Sequence, residues 1–285
     1  MEKLKIAIQK SGRLSEQSKQ LLKDCGIKIK NGKNALRVSA SNFPLDLFYL
    51  RDDDIPQYVQ DGIADIGIVG ENVLLEKKTK CNIVQKLGFA KCRLSLAIPK
   101  SIEYKGIEYF KNKKIATSYP VILSDFLSKH NVKSEIHEIS GSVEIAPNIG
   151  LADAICDLVS TGSTLFSNGL IEVEEVLKSE AVIIGKTNFS SVQQSILDKL
   201  IFRIQAVQKG RNSKYVILNA PNEKIELITG IIPGLKSPTV VPLAENNWSA
   251  VHSVISEDVF WDVIDELKNA GAEGILVMPV EKMII

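Results

Sequence analysis

Short apolar runs alternate with amphipathic stretches along most of the chain. Leu4-Lys5-Ile6-Ala7-Ile8 has the length and composition of a strand. Leu14, Ser18, Leu21, Leu22 and Cys25 then fall on one helical face, with Gly26 as a C-terminal stop. Ile66-Gly67-Ile68-Val69, Ile115-Ala116-Thr117 and Ala154-Ile155-Cys156-Asp157-Leu158-Val159 read as further buried strands. Strands alternating with helices predict an α/β protein whose sheet is mostly parallel.

The rhythm changes near the end. Residues 215–219 read as a strand, and 221–232 as a helix entered through Pro221 in its first turn. Residues 239–243 and 249–255 are strands. Residues 257–269 form a helix with Ser256 as N-cap and Gly271 beyond its end. Residues 274–278 close the segment as a strand. The order β-α-β-β-α-β is the ferredoxin-like arrangement. Lys209-Gly210-Arg211-Asn212-Ser213, polar and glycine-containing, is the expected boundary before it.

A length of 285 residues exceeds one ordinary core and predicts two or three domains. The net charge of +1 offers no basic excess for nucleic acid. The first ten residues interrupt their apolar run with charge, unlike a signal peptide, and no apolar run approaches the roughly 20 residues of a membrane span. A cytoplasmic protein with no membrane partner is expected. Cys25, Cys81, Cys92 and Cys156 form no C-x-x-C pair and are expected to be free, buried thiols. His130, His137 and His252 lack zinc-site spacing, and no G-x-S-x-G elbow supports a serine hydrolase.

Chemistry concentrates in Asp153-Ala154-Ile155-Cys156-Asp157-Leu158-Val159-Ser160-Thr161-Gly162-Ser163-Thr164-Leu165. A strand ends in small hydroxyl residues around a glycine, and a helical pattern follows. Such a loop turns backbone N–H groups toward one point, and Ser160, Thr161, Ser163 and Thr164 add hydroxyl donors. Gly162 permits close backbone approach or a positive φ. These groups suit a phosphate monoester, while Asp157 can accept from a ribose hydroxyl pair. The structural alternative is an ordinary capped helix after a strand.

Two further patches bear on this site. Gln9-Lys10-Ser11-Gly12-Arg13-Leu14 follows the first strand, at the end where α/β sheets bind ligands, and Arg13 can grip phosphate; the alternative is a surface turn. Leu50-Arg51-Asp52-Asp53-Asp54-Ile55-Pro56 ends another apolar run, with Asp54 as a helix N-cap and Asp52 and Asp53 as solvated charges. Asp65 and Glu71 bracket the strand at 66–69 and are candidates to orient Arg51 or a magnesium–pyrophosphate group.

At these motifs the chain resembles the ATP phosphoribosyltransferase family, the first enzymes of histidine biosynthesis, over essentially its whole length. Ser11-Gly12-Arg13-Leu14, Arg51 to Pro56, residues 62–72 and Asp157 to Leu165 carry the likeness. Gly234-Leu235-Lys236-Ser237-Pro238-Thr239 and Pro279-Val280-Glu281-Lys282-Met283 extend it to the long form of the family. The resemblance implies a two-lobed α/β core like that of periplasmic binding proteins, plus a C-terminal ferredoxin-like (βαββαβ) regulatory domain. Residues 1–95 and 181–210 would form lobe I, 96–180 lobe II with the phosphate loop, and 211–285 a histidine-binding domain. The implied reaction joins adenine N1 of ATP to C1 of phosphoribosyl pyrophosphate and releases pyrophosphate. Mg2+ would be held mainly by substrate phosphates, with no dedicated protein cage.

Roles follow from the same resemblance. Gly12 and Ser160, Thr161, Gly162, Ser163 and Thr164 bind substrate, the last five its 5′-phosphate. Asp157 holds the ribose hydroxyls, with Asp153 a candidate beside it. Arg13 and Arg51 contact pyrophosphate or ATP phosphates, supported by Asp65 and Glu71. Asn219, Leu235, Ser237 and Thr239 meet histidine, the inhibitor. A hexamer of dimers is implied.

Three other readings share part of the pattern. A periplasmic-type binding protein would have similar lobes but a signal peptide, and gives no reason for the Asp157 loop. A phosphoribosyltransferase for another base is compatible with the loop, because base choice is made elsewhere. A stand-alone amino-acid-binding regulator leaves the first 210 residues unexplained.

Overall fold

The computed structural model describes residues 2–29 and 35–285. The chain divides into two compact units, one of Met1–Lys23 and Ile27–Leu197, the other of Asp24–Gly26 and Asp198–Ile285.

The first unit contains two sheets. Its chain begins with β1 (Leu4–Gln9), α1 (Arg13–Asp24), β2 (Arg37–Ser39), β3 (Leu45–Leu50), α2 (Ile55–Gln60), β4 (Ile66–Gly70), α3 (Glu71–Lys77) and β5 (Asn82–Lys86). Leu4, Ile6, Ala7 and Ile8 of β1 are fully buried, the mark of a central strand covered on both faces. β1 lies parallel to both β3 and β4. The C-terminal ends of these three strands therefore share one edge, and the Lys10 amide donates to the Leu50 carbonyl there at 2.8 Å.

The second sheet holds β6 (Cys92–Pro99), β7 (Lys114–Thr117), β8 (Glu135–Glu138), β9 (Ala154–Val159) and β10 (Leu170–Ser179). α4 (Pro120–Lys129) follows β7, and α5 (Ser163–Ser167) follows β9. β7 is parallel to β8 and β9, so their C-terminal ends also share one edge. β11 (Ala181–Gly185) returns the chain to the first sheet, between β4 and β5. The two sheets have four parallel pairings and five antiparallel ones among the described residues. They are therefore mixed, where the sequence pattern predicts mostly parallel. The four strands that carry the chain between sheets, β5, β6, β10 and β11, account for four of the antiparallel pairings.

α6 (Ser191–Arg211) leads into β12 (Ser213–Pro221), α7 (Ile225–Ile231), β13 (Thr239–Pro242), β14 (Trp248–Ser256), α8 (Glu257–Asn269) and β15 (Glu273–Pro279). The sheet order β13-β14-β12-β15, all antiparallel, is the ferredoxin-like arrangement. Val216, Leu218 and Ala220 of β12 pack with Ile228 of α7 and Phe260 and Leu267 of α8. Ser256 caps α8, its Oγ accepting from the Val259 amide at 3.4 Å. The proline-entered helix expected at 221 opens instead as a 3-10 turn, Asn222–Lys224, before α7.

No loop marks the boundary expected at Lys209 to Ser213, because a helix continues through most of it. α6 runs to Arg211 and the division between units falls inside it. Gly210 serves close packing there: a Cβ would sit 2.7 Å from Glu281 C and Lys282 N, backbone atoms that cannot swing away. Among the described residues no helix is long and apolar enough to cross a membrane. Gly210→Ala is expected to destabilise the second unit by about 1–3 kcal/mol, the usual range for overpacking, read as a lower chemical-denaturation midpoint.

Candidate active site in the cleft of the first unit

β9 ends at Val159, and the loop Ser160 to Thr164 follows it into α5. Gly162 has φ +80, and the nearest atom to a Cβ there would be Val159 Cγ1 at 4.0 Å. The left-handed backbone, rather than crowding, asks for glycine. Ser160, Thr161, Ser163 and Thr164 are exposed, and the Thr161 and Ser163 hydroxyls lie 3.1 Å apart. α5 has only five residues, so local amides and hydroxyls matter here more than a helix dipole.

A pocket of about 320 Å³ lies over this loop, and Arg13, Glu144 and Asp157 complete its wall. Arg13 stands at the start of α1, beyond β1, so each sheet supplies part of one pocket. Gly12 precedes it, its carbonyl accepting from the Glu16 amide at 3.1 Å. Asp157 Oδ1 accepts from the Leu158 amide at 2.8 Å. Burial pushes the Asp157 carboxyl above its ordinary range; that amide bond offsets part of the rise, and the charge of Glu144 adds to it.

Glu144 and Tyr119 are cleft residues that sequence reasoning missed. Glu144 sits in the 3-10 turn Val143–Ile145 after β8, at the ligand-binding edge, and strand polarity was the available signal. Tyr119 follows β7, and its Oη accepts from Asn72 Nδ2 at 3.2 Å. Its phenol is pushed up by burial first, then by Asp157, Asp52 and Asp53, so acids from both sheets act on it.

Arg51 ends β3 at the same edge as Arg13 and is exposed; the residues lining the loop pocket do not include it. Asp54 takes the expected N-cap position of α2, with Pro56 in the first turn, but makes no side-chain cap bond. Asp52 is pushed up by burial and by Asp53, more enclosed than a solvated charge. Glu71 opens α3 and pairs with Lys86 at 3.2 Å. It lines a second cavity of about 480 Å³ with Lys91, Arg93 and Ser160, and Ser160 is common to both cavities.

Two expected site residues stand elsewhere. Asp65 precedes β4, at the opposite end from Glu71, and is 1% exposed. It accepts from Lys186 Nζ at 2.6 Å and Gln193 Nε2 at 3.0 Å on one oxygen and from the Lys5 amide at 2.8 Å on the other, so both oxygens are engaged. Asp153 precedes β9 and accepts from the Lys114 amide at 2.9 Å. The length of β9, roughly 20 Å at 3.3 Å per residue, separates it from the loop. Both acids support the fold. Among the described residues, no three His, Cys, Asp or Glu side chains converge as a cation cage.

In the second unit, Asn219 pairs with Ala250 and Thr239 with His252 across the sheet, so both lie on its face away from the helices. Tyr215 Oη and His252 Nδ1, 2.9 Å apart, share that face. Leu235 is exposed, and Ser237 Oγ donates to the Pro238 carbonyl at 3.2 Å in the loop before β13.

Fold and cleft define the class: a two-sheet α/β core with a hydroxyl-lined loop pocket, carrying an additional ferredoxin-like domain. The family model described as ATP phosphoribosyltransferase matches residues 51–206, and the one described as HisG, C-terminal domain, matches 210–282. An ATP phosphoribosyltransferase of Cytophaga hutchinsonii is 57% identical over 281 residues, covering 99% of this chain and 98% of the relative. One from Parabacteroides distasonis is 57% identical over 282 residues, covering 99% and 100%. A solved ATP phosphoribosyl transferase (HisG:HisZ) complex from Thermotoga maritima is similar at TM-score 0.61 and 32% identity, covering 70% of this chain and 98% of that one. The chain belongs to the ATP phosphoribosyltransferase family of histidine-biosynthetic enzymes, in its long form.

The reassignment of Asp65 is testable. Asp65→Ala leaves Lys186 and the Lys5 amide without their acceptor, a loss of about 3 kcal/mol for a largely buried pair. A lower melting temperature is expected, with unchanged KM values in the fraction that remains folded.

Proposed function

We propose that this cleft joins adenine N1 of ATP to C1 of phosphoribosyl pyrophosphate. The C1–N1 bond forms, the C1–oxygen bond to pyrophosphate breaks, and C1 inverts. One observation carries the reading: Arg13 from one sheet lines the same pocket as Asp157 and the hydroxyl loop of the other. The amides and hydroxyls of Ser160 to Thr164 hold the 5′-phosphate, at about 1.5–3 kcal/mol per charge-assisted bond. Asp157 accepts from the ribose hydroxyls. Arg13 and Arg51 take phosphates of pyrophosphate or ATP. Asp157 and Glu144 line the same pocket, and their carboxylates would stabilise positive charge developing at C1. That pair also fits the one or two carboxylates magnesium takes beside substrate phosphates. A magnesium ion held by that pair and the substrate phosphates would supply charge neutralisation at the pyrophosphate.

Pyrophosphate release from phosphoribosyl pyrophosphate tests the reaction. ATP should support it; release with adenine or another base instead would favour a different acceptor. Asp157→Asn should lower turnover at least about tenfold, or 1.4 kcal/mol. The sign of its pH dependence follows from burial. The carboxyl titrates above its ordinary 3.8, so affinity for phosphoribosyl pyrophosphate falls with pH earlier than an ordinary aspartate would allow. The Asn variant lacks that inflection. A raised folded pKa also means the charged form destabilises the empty fold above that pKa and ceases to do so below the unfolded value. The Asn variant should therefore melt higher than the parent at neutral pH without substrate. Wild-type kinetics in the variant would remove Asp157 from the site.

We further propose that histidine inhibits through the second unit, in a hexamer of dimers. Asn219, Thr239, Tyr215 and His252 gather polar groups on one face of its sheet, beside the Leu235 to Pro238 loop. Inhibition requires histidine to bind one global conformation more tightly than another. Thr239→Val should keep the uninhibited rate and need more histidine for half inhibition. Direct competition between histidine and phosphoribosyl pyrophosphate in the parent would place the effector elsewhere.

A further inference from the structure

One side chain joins helices on opposite sides of the cleft. Glu76 lies in α3, after β4 of the first sheet, and α4 follows β7 of the second. The Glu76 carboxylate accepts from the Val121 amide at 2.9 Å and from the Ile122 amide at 3.0 Å. First-turn amides have no partner within their own helix. Pro120 has no N–H, and the Tyr119 amide donates to Thr117 Oγ1 at 2.9 Å. Tyr119, in the N-cap position, makes no side-chain cap bond. The cap of α4 therefore comes from the other lobe, and a carboxylate there also suits the helix dipole.

Neighbouring bonds hold α3 in place for this. The Asn72 amide donates to Ser179 Oγ at 3.1 Å, and that hydroxyl donates to Asn72 Oδ1 at 2.9 Å. Asn72 Nδ2 then reaches Tyr119. Lys78 and Asp125 also span the lobes at 3.1 Å, but both are more than half exposed and contribute little. The chain itself links the lobes only through residues 87–91 and 180, and such a connection leaves rotation about itself to be fixed by other contacts.

We infer that Glu76 is a positioning residue. By capping α4 from the first lobe it sets the spacing at which Arg13 meets Asp157 and the phosphate loop. This rests on the proposed reading of the cleft, and Glu76 itself touches no substrate.

The test compares the full-length parent with Glu76→Ala and Glu76→Gln by three measurements. Hydrogen exchange over residues 119–123 should rise about tenfold in the Ala variant. Its kcat should fall about tenfold to a hundredfold, the scale of a 1 Å misplacement. Ribose 5-phosphate, a probe for the loop and Asp157, should bind within about twofold of the parent, which also counts folded sites. Gln keeps one carbonyl acceptor and should fall between parent and Ala in exchange and in kcat. Unchanged exchange, or a kcat loss no larger than the loss of ribose 5-phosphate sites, overturns the inference. If the Ala protein does not fold, the same criteria applied to Gln decide. A parent that fails to bind ribose 5-phosphate overturns the cleft reading and this inference with it; normal parent binding with unchanged kcat in the variants overturns the cap role alone.

Discussion

The two passages of the chain between its sheets are hydrogen-bonded to each other. The Leu87 amide donates to the Ala181 carbonyl at 2.9 Å, and the Ala181 amide to the Phe89 carbonyl at 3.0 Å. The Gly88 amide donates to Glu180 Oε2 at 2.9 Å. β5 with β11, and β6 with β10, thus continue one antiparallel ribbon through both sheets. Parallel strands offer ligands only their C-terminal ends. A ribbon linking two such sheets can bring two such edges to one pocket, and Arg13 and the Ser160 to Thr164 loop line that pocket together. Divided function is then a consequence of topology: neither sheet alone holds a complete set of polar groups.

Acids in this unit sort by how fully their lone pairs are used. Asp46 accepts from Lys3, Arg37 and Ser39. Burial alone would push it up, yet those donors together hold it well below the carboxylate range. Glu172 is held down by Arg93, whose guanidinium engages both its oxygens, against a smaller upward push from burial. These acids stabilise the fold above their ordinary pKa, and that stability is lost as pH falls toward their depressed values. Asp157 is buried with one backbone donor and a second carboxylate nearby, so burial first and Glu144 second make its charged form a cost in the empty protein. An acid kept at a cost to the fold is explained by donors that arrive with a ligand.

Legibility in the sequence followed the range of the interaction. Buried β-branched runs such as 66–69 and 154–159 announce strands by composition, and Ser256 announces the start of α8 by a cap three residues long. The hydroxyl loop is local too, and its residues stand together after β9. Asp65, a candidate because it brackets a buried strand, and Asp153, a candidate through the resemblance, each precede their strand and so lie at the end that parallel sheets do not offer to ligands. Strand polarity alone could have excluded both. The same polarity points to Glu144, in the turn after β8, whereas Glu76 caps a helix 45 residues away and only tertiary structure exposes it. Gly210 is another such case: it reads as a boundary glycine, and its small size serves packing, since an added Cβ would lie 2.7 Å from the backbone of Glu281 and Lys282.

That same glycine bears on how an effector could act. A glycine-rich linker would let the second unit change state with little consequence for the first. The connection is instead a 21-residue helix, and the division between units falls within it. Linkage requires only that a ligand favour one of two global states. In the second unit, α7 and α8 cover one face of the sheet and leave the other to Asn219, Thr239 and the Tyr215–His252 pair, with Leu276 and Met278 exposed beside them. A face that is partly apolar and carries a few fixed hydrogen-bonding groups suits a small zwitterion with a flat side chain better than a bare phosphate. The regulatory proposal therefore rests on the second unit alone, where polar groups and apolar side chains share the sheet face that α7 and α8 leave open.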